Sequence, residues 1–251
     1  MLLRARVAGG QACLSVRQAL RALAIVTLAL LFLACEDATQ PADIAGRPVW
    51  APGEQAEYRL LDGRKEIGRA LLSVEREGDA FVLRQEFKAE RVTDTVAIHV
   101  SETDLKPRKV HRVVDGEDGR IQLDVEYVDG RAIVHADNGE ERNSESNAVP
   151  AFAYDNWEGL FLWRTVPLDD DYRAAYHSMV TAVPRKPAAS KKTIEVEKRE
   201  QVSVPAGSFD TWKLKVSGGG ASETAWIGID GAHPVVKYDN GTAVFELLGF
   251  R

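Results

Sequence analysis

Ile121-Gln122-Leu123-Asp124-Val125-Glu126-Tyr127, followed at once by Asp129-Gly130, decides the fold class of this chain. Apolar and polar side chains alternate strictly, so a strand here lays one row on a core and the other in water. The Asp-Gly pair then suits a tight reversal, because both residues tolerate positive φ. The same unit recurs outward in both directions. Phe81, Leu83 and Phe87 oppose Arg84, Glu86 and Lys88, and Trp212, Leu214 and Val216 oppose Lys213 and Lys215. Asp62-Gly63, Gly78-Asp79, Asp115-Gly116, Asp118-Gly119, Asn138-Gly139, Asp230-Gly231 and Asn240-Gly241 supply further turns. Such patterning predicts an all-β domain, a meander of antiparallel strands covering one core. The strands fall at about 55–61, 66–77, 80–90, 94–102, 108–115, 120–128, 131–137, 172–182, 191–204, 208–217, 222–229, 233–238 and 242–248. No fixed-period repeat emerges. A sheet of 12 to 13 strands must curl or split to bury its apolar face, as in a half-barrel.

One segment breaks the alternation. In Asp155-Asn156-Trp157-Glu158-Gly159-Leu160-Phe161-Leu162-Trp163, Asp155 can cap a helix and Glu158 completes a capping box. The spacing predicts a short amphipathic helix, with Trp157, Leu160 and Phe161 on one face, between a seven-strand first half and a six-strand second half. Val183-Pro184-Arg185-Lys186-Pro187-Ala188 predicts an exposed loop.

The N-terminus is of a different kind. Residues 1–34 hold Arg4, Arg6, Arg17 and Arg21 and no acid. The apolar run at 22–34, broken only by Thr27, is shorter than the roughly 20 residues of a spanning helix but has the layout of a secretory signal. Its end, Phe32-Leu33-Ala34-Cys35, resembles the bacterial lipobox. That resemblance implies a lipoprotein signal peptide at 1–34, cleavage before Cys35 and lipidation of its thiol, although Phe32 stands where leucine is usual. An ordinary secreted protein, or an uncleaved anchor with an incidental cysteine, is the alternative. Cysteine usage favours the lipoprotein: once Cys13 is removed, Cys35 is alone and has no disulfide partner. Residues 35–50, with Pro41 and Pro48, read as the lipidated cysteine and a flexible tether, and 51–251 as a single domain. Loss of the four signal arginines takes the formal charge from −6 to −10, which argues against nucleic acid and against broad adhesion to anionic headgroups. The membrane contact is expected through the lipid, on the outer face of a bacterial membrane, in the cell envelope or periplasm.

Two further stretches resemble a family. Glu57-Tyr58-Arg59-Leu60-Leu61, leading to Ile67-Gly68-Arg69-Ala70-Leu71-Leu72, is similar to the opening of an uncharacterised, domain-of-unknown-function family of bacterial envelope proteins. Val204-Pro205-Ala206-Gly207-Ser208-Phe209 resembles that family's late turn, with Trp226, Pro234-Val235-Val236-Lys237-Tyr238 and Phe245-Glu246-Leu247 closing the match. The family is similar in fold to the half-barrels of lipoprotein carriers, in which a curved sheet wraps a helical plug around an apolar cavity. The resemblance implies a fold more firmly than an activity.

Chemistry-bearing motifs are sparse. His99, His111, His135, His177 and His233 show no metal-ligand spacing, and no metal or cofactor is expected. No nucleophile elbow appears, Gly218-Gly219-Gly220 lacks the lysine of a phosphate loop, and Asp169-Asp170-Asp171 lacks the alternation of a calcium loop. The sequence therefore points away from an enzyme. Trp157, Phe161, Trp163, Trp212 and Trp226 read either as ordinary core or as the lining of a cavity for a lipid or other hydrophobic ligand. The first possibility makes this a structural envelope lipoprotein with a filled core that docks another envelope protein; the second makes it a ligand binder.

Overall fold

The alternation carries through into one sheet. The computed structural model describes residues 40–251 apart from Asp118 and residues 182–185. The signal segment, Cys35 and the first half of the Pro-rich stretch, 183–185, lie outside the described residues, while Ala188 at its other end already belongs to a strand. The first half of the sheet is β1 (Gln55–Asp62), β2 (Lys65–Glu77), β3 (Ala80–Ala89), β4 (Val92–Ser101), β5 (Pro107–Gly116), β6 (Gly119–Val128), β7 (Arg131–Asp137) and β8 (Arg142–Ala148). The second is β9 (Ala153–Asp155), β10 (Arg173–Val180), β11 (Ala188–Val204), β12 (Gly207–Gly218), β13 (Ala221–Gly228), β14 (Val235–Asp239) and β15 (Val244–Phe250). Two strands exceed the sequence expectation, β8 and β9. Neither carries a readable alternation, the one being polar up to its last residue and the other three residues long.

The sheet order is β8-β7-β6-β5-β4-β3-β2-β1-β15-β14-β13-β12-β11-β10-β9, antiparallel at every step except β9 with β10. Its two edge strands are consecutive in sequence. Laid flat, fifteen strands at their usual spacing would separate those edges by about 65 Å. The link from Ala148 to Ala153 spans at most about 18 Å. The sheet must therefore curl until its edges approach, and side chains cross the gap: Asn147 Nδ2 donates to the Pro187 carbonyl at 3.0 Å. It remains an open sheet, since β8 and β9 share no ladder.

Curling puts the apolar rows inside. Val74, Leu83, Ile98, Leu123 and Val134 from the first half join Ile194, Leu214, Val216, Ile227 and Leu247 from the second in one buried cluster. Gly68, within the Ile67-Gly68 motif, shows why that position is small: a Cβ there would lie 2.3 Å from the Lys88 carbonyl oxygen of the neighbouring strand. The antiparallel path defines two rims. One carries the turns after β2, β4 and β6 and the start of β1; the other carries the turns β3–β4, β12–β13 and β14–β15.

Residues 40–50 depart from the expected flexible tether. Ala42 N donates to the Ala175 carbonyl at 2.8 Å, Pro41 bridges Ala175, and Ile44 and Trp50 are buried. Two apolar side chains, spaced too far apart to show periodicity, hold the segment as a strap across the first rim.

Candidate functional site

The capping box forms as read. Trp157 N donates to Asp155 Oδ1 at 2.9 Å and Asp155 N donates to Glu158 Oε1 at 3.0 Å. The turn that follows is 3-10 in character (Asn156–Glu158) before passing into α1 (Gly159–Leu162). A 3-10 start eclipses side chains three apart. Trp157, Leu160 and Trp163 consequently share one side of this plug, while Phe161 turns away and meets Trp50 edge-on with centroids 6.2 Å apart. Phe161 therefore does not share the face of Trp157 and Leu160, because the winding differs from a regular α-helix. Gly159 lets the plug wind this tightly: a Cβ there would stand 2.9 Å from the Trp163 ring.

Between this side of the plug and the curled sheet lies a cleft of about 320 Å³ that opens at the rim of β12–β13 and β14–β15. Its apolar wall is a continuous run of rings. Trp163 and Tyr238 are 6.1 Å apart, Tyr238 and Phe245 5.2 Å, and Phe245 and Phe87 5.9 Å, which carries the run from the plug across the second half to β3. Edge and tilted contacts of this kind are favourable beyond their buried area. The opposite wall is polar but internally satisfied. Lys192 Nζ donates to Glu223 Oε1 at 2.7 Å, Tyr238 Oη donates to Glu223 Oε2 at 2.6 Å, and Trp163 Nε1 donates to Tyr176 Oη at 3.2 Å. Burial raises both phenols well above their ordinary range, which keeps them neutral.

The five sequence-selected aromatics are thus dispersed. Trp157 and Trp163 line the cleft. Phe161 packs into the filled end of the core. Trp212 is buried in the sheet wall with the Arg199 guanidinium 3.9 Å above its ring. Trp226 stands on the other face of β13 from Ala225 and Ile227, between Lys213 and Lys237, with Nε1 donating to Glu200 at 2.8 Å. Cys35 lies outside the described residues. Phe87, Tyr176, Tyr238 and Phe245 complete the cleft without having been selected as site residues. The signal was present, since Phe87 was on the inward row and Tyr238 and Phe245 close the family motif, but only the curl brings these strands together.

Beneath the cleft sits a second polar cluster. Asp155 Oδ2 accepts from Tyr127 Oη of β6 at 2.6 Å and from Thr181 Oγ1, just past β10, at 2.7 Å, so one carboxylate ties the two ends of the sheet together. Burial pushes its pKa up to about 6, and burial together with the neighbouring Asp155 raises Glu158 well above the usual carboxylate range. Both side chains are nearly inaccessible, at 2% and 1% exposure. Among the described residues no group of three or more His, Cys, Asp or Glu could hold a metal ion.

A search of curated proteins finds no match. Two solved structures are similar at low identity. A proposed exported protein with a YmcC-like fold from Bacteroides fragilis is 12% identical with a TM-score of 0.30, covering 84% of this chain and 100% of that one. A proposed lipoprotein from Parabacteroides distasonis is 9% identical with a TM-score of 0.32, over the same shares. Both stretches that carried the family resemblance fall within residues 55–247, which match the DUF3108 family of proteins of unknown function, and the chain belongs to that family.

Proposed function

We propose that this chain is an exported, non-catalytic protein of the bacterial cell envelope, anchored by lipid on Cys35, whose sheet holds a lipid or other hydrophobic ligand in the cleft beside the plug. The observation that carries the reading is the unbroken line of rings from Trp163 through Tyr238 and Phe245 to Phe87, open at one rim. An apolar segment entering there gains roughly 0.8 kcal/mol for each methylene it buries. The volume falls at the small end of ligand sites, which suits a single apolar segment. A polar end of the same molecule would meet the Lys192–Glu223 pair, whose charges cancel, so the fitting amphiphile is one with a neutral or zwitterionic polar group.

Support for the non-catalytic part comes from the two raised carboxylates. A general acid must reach the proton it transfers. Asp155 and Glu158 are sealed from the cleft and engaged with the backbone of their own turn. The anchor rests on the N-terminal sequence alone.

Two measurements on the full chain, expressed with its own N-terminus in a bacterium, test the proposal. Metabolic labelling with an alkynyl palmitate should mark the wild type and be lost in Cys35→Ser; labelling that survives removes the anchor. Native mass spectrometry from detergent micelles should show an adduct of lipid mass that disappears in Thr242→Trp, which fills the mouth from an exposed turn. A bare protein mass that takes up no added monoacylglycerol or phosphatidylethanolamine overturns the ligand reading.

A further inference from the structure

The N-terminal end of the strap is held by hydrogen bonds, and it lies beside exposed apolar side chains. Ala42 N donates to the Ala175 carbonyl at 2.8 Å, which holds the start of the strap next to β10. Two residues further along β10, His177 N donates to the Phe152 carbonyl at 3.0 Å. Phe152 and Val128 line one shallow depression of about 200 Å³ together with Lys106. Lys106 also reaches back to the strap, with Nζ 3.5 Å from Asp43 Oδ1. The strap end and the depression thus form one patch.

The patch is apolar where a water-facing surface has no need to be. Among the described residues four large hydrophobic side chains are exposed, and Phe152 at 42% and Val128 at 45% are the most exposed of them. Phe152 has φ +57°, a left-handed conformation that is costly for a bulky residue. Strain of this kind persists where the surroundings impose it and accompanies functional surfaces.

Chain length supplies the occupant. Four residues lie between Cys35 and Gln40, and the five steps between them reach at most about 18 Å. We infer, on the reading that Cys35 carries the lipid, that this rim rests on the bilayer, with Phe152 and Val128 entering the headgroup–acyl boundary and Lys106 beside them at headgroup level. Partial insertion of apolar side chains flanked by a basic stem is the ordinary mode of interfacial binding. The geometry has a consequence for the cleft. Its mouth is on the opposite rim, separated by strands of ten residues such as β3, about 30 Å. The cleft then faces the aqueous side, and its ligand arrives through that phase rather than sideways from the anchoring leaflet.

The test uses the full-length lipidated chain carrying Phe152→Cys, Val128→Cys or Thr242→Cys, each labelled with an environment-sensitive maleimide dye, since acylated Cys35 is unreactive. The labelled proteins are reconstituted on phosphatidylethanolamine–phosphatidylglycerol vesicles with and without nitroxide-labelled lipid. Docking is supported when the probes at positions 152 and 128 shift to the blue and lose most of their emission to the nitroxide, while the probe at 242 does neither. Flotation of the protein with the vesicles and probes that all stay unquenched overturns the docking and leaves the anchor standing. Failure to float overturns both. Because Val128 has ordinary backbone geometry, its probe decides the matter should the change at Phe152 disturb folding.

Discussion

The two rims of the sheet are built from similar materials and finished differently. Under the strap the core is packed solid: Trp50 meets Phe81 at 6.1 Å and Phe161 at 6.2 Å, and Arg164 is buried. Its guanidinium donates to Glu54 at 2.7 and 3.1 Å, to the His233 carbonyl at 2.9 Å and to the Ala232 carbonyl at 2.7 Å. At the cleft rim the rings line up but leave space, and the Lys192–Glu223 pair keeps 13% and 17% of its side chains in contact with solvent. The contrast teaches that one short plug does two jobs by winding. Its 3-10 start sends Trp157, Leu160 and Trp163 toward the space and Phe161 toward the filled end.

The largest effect is expected where the strap rim is sealed. Arg164→Ala leaves Glu54 buried and unpaired, which costs about 3–5 kcal/mol in comparable sites. Urea unfolding measures it; a loss under about 1 kcal/mol would mean the rim admits water and the contrast is weaker than the packing indicates.

Asp155 tests what joins the ends of the sheet. Its folded pKa, near 6, lies above the ordinary 3.8, so the folded state binds more protons between those values and this group's contribution to stability falls as pH rises. The contribution is fully present below pH 3.8 and gone above about 6. Asp155→Asn does not titrate. The stability of the wild type relative to this variant should accordingly decline between pH 4 and 7, by up to about 3 kcal/mol. A flat difference would show that the hydroxyls of Tyr127 and Thr181 keep the carboxylate ionised.

Gly159→Ala sharpens the account of the plug. Alanine favours helix by up to about 1 kcal/mol over glycine. Here its methyl would press on the Trp163 ring, and overpacking costs about 1–3 kcal/mol. A net loss of about 1 kcal/mol in urea unfolding, with a changed near-ultraviolet dichroism from Trp163, is the expected outcome. A gain in stability would show that Trp163 yields into the cleft.

Much of the fold was legible because period-two alternation and Asp-Gly or Asn-Gly turns are local signals. The strands that escaped had none to give. Arg142–Ala148 has no core face at an edge of the sheet, and its assignment to β8 depends on pairing with β7. The strap escaped because Ile44 and Trp50 act only against partners far along the chain. Trp226 is a different case: its neighbours Ala225 and Ile227 already place it on the other row, so alternation alone could have separated it from the cleft.

What the sequence by itself determined is therefore the class of the domain, the inward row of each readable strand, the capping box of the plug and the family. Those depend on neighbours one to four residues apart. The curl, the strap and the assembly of Trp163 and Phe87 into one wall with the Tyr238–Phe245 pair were decided by tertiary structure, because they bring together residues tens to over a hundred positions apart. A cleft is the space left after those distant surfaces have met, and no local pattern encodes a space.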